Sequence, residues 1–355
     1  MRDVLLVSLG GTAGLREADA ELAGSLRRAG ASVEVAAARP VREWRTMAAL
    51  ELAWARSARR AALSAGPARA VIYSSSTAAL LAPAPGAIRF DAPAAGNRPG
   101  RHGLWQRPAE RRRFREARLL VPWSEGGLAE APQPHADAVV VPVPVESSGP
   151  AAHRDIAAIT YGANPEKKGL DRVLAAWAAA RRDGEELVVA GLNERYPVRS
   201  PARRRPPTGG TRRPSTESTG RPPGGGCRRS RAPSGVRFAG TLPREEYRAL
   251  LRRSRVFVTA PRREDYGIAQ LEALAEGCAL VTTASPGPYA ALPIARALDP
   301  RLVTGDLATA IRAALDEPAP GYADHAAEAL RPYAHTEVDR VVADVLLPRL
   351  LDSAR

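Results

Sequence analysis

Lysine is nearly absent from this chain. Of 355 residues only Lys167 and Lys168 are lysines, and the other fifty basic positions are arginine. Cysteine is equally scarce. Cys227 and Cys278 can build neither a disulfide framework nor a cysteine-based metal site, so a reducing, cytoplasmic setting is expected. Five histidines and no Asp-x-Asp motif leave little to ligate a metal, and none is expected. No apolar run approaches the ~20 residues of a membrane-spanning helix. The opening MRDVLLVSLGG is apolar for too few residues to act as a signal peptide.

What is abundant is positive charge, at a formal net of +14. Its location decides what it means. Between Arg195 and Gly235 stand eleven arginines and one acid, Glu217, so this stretch carries ten of the fourteen net charges. The remainder is unremarkable for a globular protein and no nucleic-acid partner is expected from it. The stretch 195–234 has almost no apolar residue, no period and no interleaved aromatics for stacking. Such composition cannot repay its ordering entropy, and disorder is expected there. Arginine, proline and glycine text of this kind also arises when a GC-rich gene is read out of frame. The segment reads either as a frame-shifted or inserted stretch or as a genuine flexible loop. A nucleic-acid-binding role for it would show as salt-sensitive binding lost on its deletion.

Elsewhere, apolar strands alternate with amphipathic helices, which favours parallel sheets. The chain is long enough for two such α/β units, and its 45% hydrophobic content can fill both cores. Val4–Leu9 reads as a buried strand. The turn Gly10-Gly11-Thr12-Ala13-Gly14 follows, and then a helix with Leu15, Ala18, Leu22 and Leu26 on one face. Further strands are expected at Ser32–Ala38, Ala70–Ser74, Ile88–Asp91, Leu119–Trp123 and Ala138–Val143, with helices near Trp44–Leu63 and Arg107–Ala117. This first domain, residues 1–148, ends in Ser147-Ser148-Gly149-Pro150, which has linker composition. The second domain, 151–335, restarts the pattern with strands at Ile156–Tyr161, Leu187–Ala190, Val236–Ala239, Val256–Ala260 and Ala279–Thr283. Helices are expected at Leu170–Arg181, Arg244–Arg253, Gly267–Glu276, Gly305–Leu315 and Glu337–Leu351. A last helical stretch, 336–355, is placed so that it can return to the first domain.

The most informative run is Arg263-Glu264-Asp265-Tyr266-Gly267-Ile268-Ala269-Gln270-Leu271-Glu272. Glu264 and Glu272 stand eight apart, one in the loop after a strand and the other between one and two turns into a helix. The free N–H groups near Gly267 and Ile268 can hold phosphate. A carboxylate on either side can accept hydrogen bonds from vicinal hydroxyls. A diphosphate between a sugar and a ribose has that layout. Taken singly, each acid also fits an ordinary helix start. Lys168 begins a helix where a cation opposes the dipole, a mild cost that bound phosphate would reverse; a solvated pair with Lys167 is the plain alternative.

This run, REDYGIAQLEALAEG, resembles the E-x7-E motif of the family-four retaining glycosyltransferases of GT-B fold, usually written EGFG-x-x-x-x-E. YGANPEKKGLDRVLAAWA and GVRFAGTLPREEYRALLRRSRVFVTA resemble two further segments of that family, so the resemblance covers 156–284 apart from the arginine-rich stretch. It implies two Rossmann-like doubly wound domains facing a cleft, the first on the acceptor side and the second binding a nucleotide-sugar donor. By resemblance, Glu264 holds donor-sugar hydroxyls, Glu272 the ribose, and Lys168 the diphosphate. Gly162, Tyr266, Gly267 and Ile268 line the donor. Gly11, in the first glycine-rich turn, lies beside donor and acceptor. Asp91, Asn97 and His102 stand where the family often carries a polar group near the anomeric carbon, and Asp91 is the one taken as catalytic. The implied reaction is hexose transfer with retention, without metal or cofactor, to a glycan, lipid or small molecule, with room for peripheral contact with the inner membrane face. Two departures bear on turnover. Ala163 stands where the family commonly has arginine, and Ser285-Pro286-Gly287-Pro288-Tyr289-Ala290 lacks the usual acid. Arg262 or Arg263 is then the expected replacement cation. A non-catalytic sugar- or nucleotide-binding relative remains the alternative.

Overall fold

The computed structural model describes residues 2–352 except 43, 45, 99 and 194–233; nearly all of the arginine-rich stretch therefore lies outside the described residues. Ten strands form two five-stranded parallel sheets. The first contains β1 (Arg2–Ser8), β2 (Val33–Ala37), β3 (Ala68–Tyr73), β4 (Ala87–Phe90) and β5 (Leu119–Pro122), in the order β2-β1-β3-β4-β5. The second contains β6 (Ile156–Tyr161), β7 (Leu187–Ala190), β8 (Val236–Gly240), β9 (Ser254–Thr259) and β10 (Ala279–Thr282), in the order β10-β9-β6-β7-β8.

The central strands are apolar along their length because helices cover both faces of each sheet. Val4, Leu5, Leu6 and Val7 are all buried, as are Val256, Phe257 and Val258. Thr12 and Thr46 start the helices Ala13–Arg28 and Met47–Ala65, their hydroxyls accepting the N–H of Leu15 and Ala49. In each sheet the chain winds outward in one direction, returns to the first strand, and continues on its other side. The strand order thus reverses beside β1 in the first sheet and beside β6 in the second. Crevices at the carboxyl ends of such strands are where open α/β sheets bind ligands.

Ala138–Val143 does not form the expected strand. It makes one bridge, Ala138 to Leu120, and Val139 and Val141 donate to the carbonyls of Leu120 and Pro122. The next N–H groups in that register, those of Val143 and Val145, go instead to the Tyr266 hydroxyl and the Tyr333 carbonyl. Between β10 and the chain end the structure also has helices at Ala291–Leu298 and Tyr322–Ala329 that the spacing did not reveal. The final helical stretch is a helix His335–Val341, a π-helical turn Val342–Leu346 and a helix Leu347–Asp352. Val338, Val342, Leu346 and Leu350 recur every four residues and pack into the core around Val4, Leu6 and Leu22 of the first sheet. Each buried side chain of that size contributes about 1.5–3 kcal/mol. Among the described residues no helix is long and apolar enough to cross a membrane.

Candidate active site

Two loops meet where the second sheet reverses. One leaves β6 and runs from Gly162 to Gly169; the other leaves β9 and runs from Ala260 to Gly267. The Arg262 N–H donates to the Lys167 carbonyl at 2.9 Å. Gly169, at φ 63°, lies so close that a Cβ there would fall on the Ala260 carbonyl. Gly162 is also tightly held, since a Cβ would come within 3.0 Å of Val189 Cγ1. Between them Asn164, at φ 57°, accepts the Lys168 N–H on its backbone carbonyl.

This interlocking sets both lysines against the motif. Lys168 Nζ lies 2.7 Å from Glu264 Oε2, and Gln270 Nε2 donates to the same oxygen at 2.9 Å. Lys167 Nζ lies 2.5 Å from Asp265 Oδ2, and Arg263 Nε lies 2.9 Å from Asp265 Oδ1. Burial works to raise the Asp265 pKa, but Lys167 and Arg263 hold it below the ordinary carboxylate value. Burial likewise works against the Lys167 charge, and Asp265, with Glu264 and Asp91 behind it, more than restores it.

The helix Ile268–Ala275 starts at Gly267, whose φ of 92° and closeness to the Tyr289 ring leave no room for a side chain. Glu272 is buried one to two turns into that helix, with Arg244 Nη2 3.2 Å from Oε1. Burial raises the Glu272 pKa against the pull of Arg244 and Arg248. Arg244 also pairs with Glu17 of the first lobe, and Arg263 with Glu130 of the first lobe. Each of these arginines therefore spans the lobes.

From the first lobe, the glycine-rich turn reaches the same helix start: the Ile268 Cδ1 lies 3.6 Å from where a Gly14 Cβ would be. Gly11 is exposed in that turn, with the Trp54 ring beside it. Asp91 follows β4, half-buried, its Oδ1 accepting the Ala92 N–H at 2.8 Å. Burial raises the Asp91 pKa and the charge of Asp265 raises it further. Asn97 ends the short helix Ala94–Asn97, and its carbonyl accepts from Arg98. His102 lies in the 3-10 turn Gly100–Gly103.

Three assignments change on this geometry. Tyr266 points into the core rather than toward a ligand: its hydroxyl accepts the Val143 N–H at 3.1 Å and its ring packs edge-on to Trp123 at 5.2 Å. Only its backbone belongs to the helix start. Arg262 turns away, donating to Asp171 and to the Glu166 carbonyl. Arg263 is occupied by Asp265 and Glu130, so neither arginine stands free to replace a cation at Ala163. Reading by motif also missed Arg89, which is buried within β4, stacked 4.8 Å from the Trp123 ring and 3.6 Å from Asp19. An arginine inside the four-residue strand Ala-Ile-Arg-Phe was the available signal. Among the described residues no three His, Cys, Asp or Glu side chains come together as a metal site.

Comparison with known proteins agrees with this architecture. Residues 231–297, which include the Glu264–Glu272 motif, match the family model of glycosyl transferases group 1. No curated protein matches the chain. The fold is similar to sucrose-phosphate synthase from Thermosynechococcus elongatus, at 15% identity and a TM-score of 0.70 with 99% of each chain covered. It is similar to HepE of Anabaena, solved with UDP and glucose, at 12% identity and a TM-score of 0.64, covering 98% of this chain and 99% of that one. WaaG, a glycosyltransferase involved in lipopolysaccharide biosynthesis, gives 17% identity and a TM-score of 0.59, with 99% of this chain and 98% of that one covered. The matched family model supports a glycosyltransferase, and the two facing parallel sheets have the GT-B fold.

Proposed function

We propose that the chain is a retaining, metal-independent hexosyltransferase of the family-four type, using a nucleotide-sugar donor. The observation that carries this reading is the placement of Lys168, Glu264 and the start of the helix Ile268–Ala275 together where the second sheet reverses. Lys168 and the free N–H groups after Gly267 take the donor diphosphate and stabilise its charge as it leaves. Glu264 accepts hydroxyls of the transferred sugar and Glu272 those of the ribose. Asp91 faces this site from the first lobe, where the acceptor enters and attacks from the face the diphosphate leaves. No side-chain nucleophile is required. With few cysteines and Cys278 buried and free, a reducing cytoplasm suits the protein.

A thermal-shift screen against nucleotide sugars tests the reading, because a ligand bound by the folded state alone raises the melting temperature. UDP and glucose in the Anabaena structure make a UDP-hexose the first donor to try. A rise with a nucleotide sugar, followed by transfer that survives a chelator, is the expected result. Transfer abolished by chelator and restored by magnesium or manganese would remove the metal-independent assignment. Nuclear magnetic resonance of the product anomer tests retention.

Ala163 and the occupied Arg262 and Arg263 favour a second reading, a protein that binds a nucleotide sugar without turning it over. Donor hydrolysis separates the two: a binding protein shows the thermal shift and no hydrolysis.

A further inference from the structure

The only two lysines of the chain both place their ammonium groups on consecutive acids of one motif. Every other basic position is arginine. Arginine presents a rigid fork that pairs with a carboxylate through two bonds, whereas lysine is a point charge on a flexible stem. Lysine is therefore the better cation wherever a carboxylate must be released.

The surroundings of both acids are built for release. Glu264 and Asp265 are only 4% and 5% exposed, so a carboxylate stripped of its cation there would be costly. Yet each has a second donor. Gln270 Nε2 also lies 2.9 Å from Glu264 Oε2, and Arg263 Nε 2.9 Å from Asp265 Oδ1, so neither acid depends on its lysine alone. The Lys167 side chain is 40% exposed against 19% for Lys168, which gives its head room to swing. An ammonium carries three donors, and one contact to Asp265 leaves two for another acceptor.

We propose that Lys167 is a second phosphate-binding cation, which exchanges Asp265 for the diphosphate of a nucleoside diphosphate ligand while Lys168 exchanges Glu264. Two lysines match the two phosphates, and the site needs no arginine at position 163. The inference rests on the donor site proposed above and names which residue completes it.

Calorimetry on the full chain with UDP, GDP, ADP and thymidine diphosphate, each beside its monophosphate, tests the assignment. The diphosphate that the unaltered chain binds becomes the probe. Lys167→Met is expected to weaken it about tenfold, the scale of one charge-assisted hydrogen bond, and to weaken the monophosphate by less than about threefold. The double variant Lys167→Met with Asp265→Asn leaves no buried carboxylate short of a partner, and is expected to keep the weakened affinity. If the double variant instead regains the parent affinity, Lys167 serves only to neutralise Asp265 and the proposal fails. It fails equally if folded Lys167→Met binds the diphosphate as tightly as the parent. An unaltered chain that binds none of the four diphosphates overturns the donor-site reading itself, and this inference with it.

Discussion

The hydroxyl of Tyr266 accepts the backbone N–H of Val143 at 3.1 Å. This fastens the motif to the segment that joins the two sheets, beside Trp123 and the Arg89 stacked on it. Tyr266→Phe keeps the ring and leaves a buried N–H without its acceptor. The expected cost is about 1–3 kcal/mol of stability, read from the denaturant midpoint, with nucleotide affinity unchanged. An equal midpoint for the two proteins would show that this hydrogen bond holds nothing.

Glu264→Gln and Glu272→Gln are expected to fail differently. Glu272→Gln weakens the free nucleotide as well as the donor sugar, by about tenfold, since ribose belongs to both. Glu264→Gln does not weaken the free nucleotide, since Glu264 competes with the diphosphate for Lys168, and slows transfer about a hundredfold, because its ligand contacts lie at the sugar. Unchanged nucleotide affinity in the Glu272 variant would remove the ribose assignment.

Ala163 lies on the same loop as both lysines, close enough to Gly191 that a Cβ added at Gly191 would come within 3.3 Å of the Ala163 Cβ. Ala163→Arg adds a cation where the diphosphate is expected. Donor affinity should rise about fivefold to tenfold at low salt, with the gain shrinking as salt is added. A gain that ignores ionic strength would mean that the new side chain acts by packing.

Glu110, on the helix Gln106–Glu116, is buried with both oxygens facing the Ala94 N–H, at 2.8 and 3.0 Å. Burial raises its pKa from 4.5 to about 7, although hydrogen bonds from Ser76 and Ala94 pull the other way. The folded state holds this proton to a higher pH than the unfolded chain does. The stability it contributes is therefore fully present below pH 4.5 and is lost as pH rises through about 7. The loss amounts to about 3 kcal/mol. Glu110→Gln does not titrate, so its stability relative to the parent should climb between about pH 5 and about pH 8. Parallel stability profiles for the two proteins would contradict the assignment.

Much of the fold was legible because parallel strands covered on both faces become short apolar runs, and Val4–Leu9, Leu187–Ala190 and Val256–Ala260 each stand out. The motif was legible for a related reason: a strand end, a glycine and a helix start occur in series, with Glu264 and Glu272 eight apart on either side of the glycine. What did not show is what depends on residues far apart in the chain. The pairing of Arg244 with Glu17, that of Arg263 with Glu130 and the stacking of Arg89 on Trp123 have no local spacing to reveal them. Lys167 was hidden differently, since two adjacent lysines at a helix start read equally well as a solvated pair. Ala138–Val143 misled because three consecutive valines make the apolar run of a buried strand, while the partner that takes the Val143 N–H, Tyr266, lies far along the chain.

Arg244 and Arg263 each hold one acid from either lobe: Glu17 with Glu272, and Glu130 with Asp265. A guanidinium stays charged at any ordinary pH, so protonation cannot undo these bridges from the arginine side. Moving the lobes apart removes one acid from each arginine and leaves it wholly to the motif acid. Opening the cleft and strengthening the cationic hold on Glu272 and Asp265 are thus a single motion.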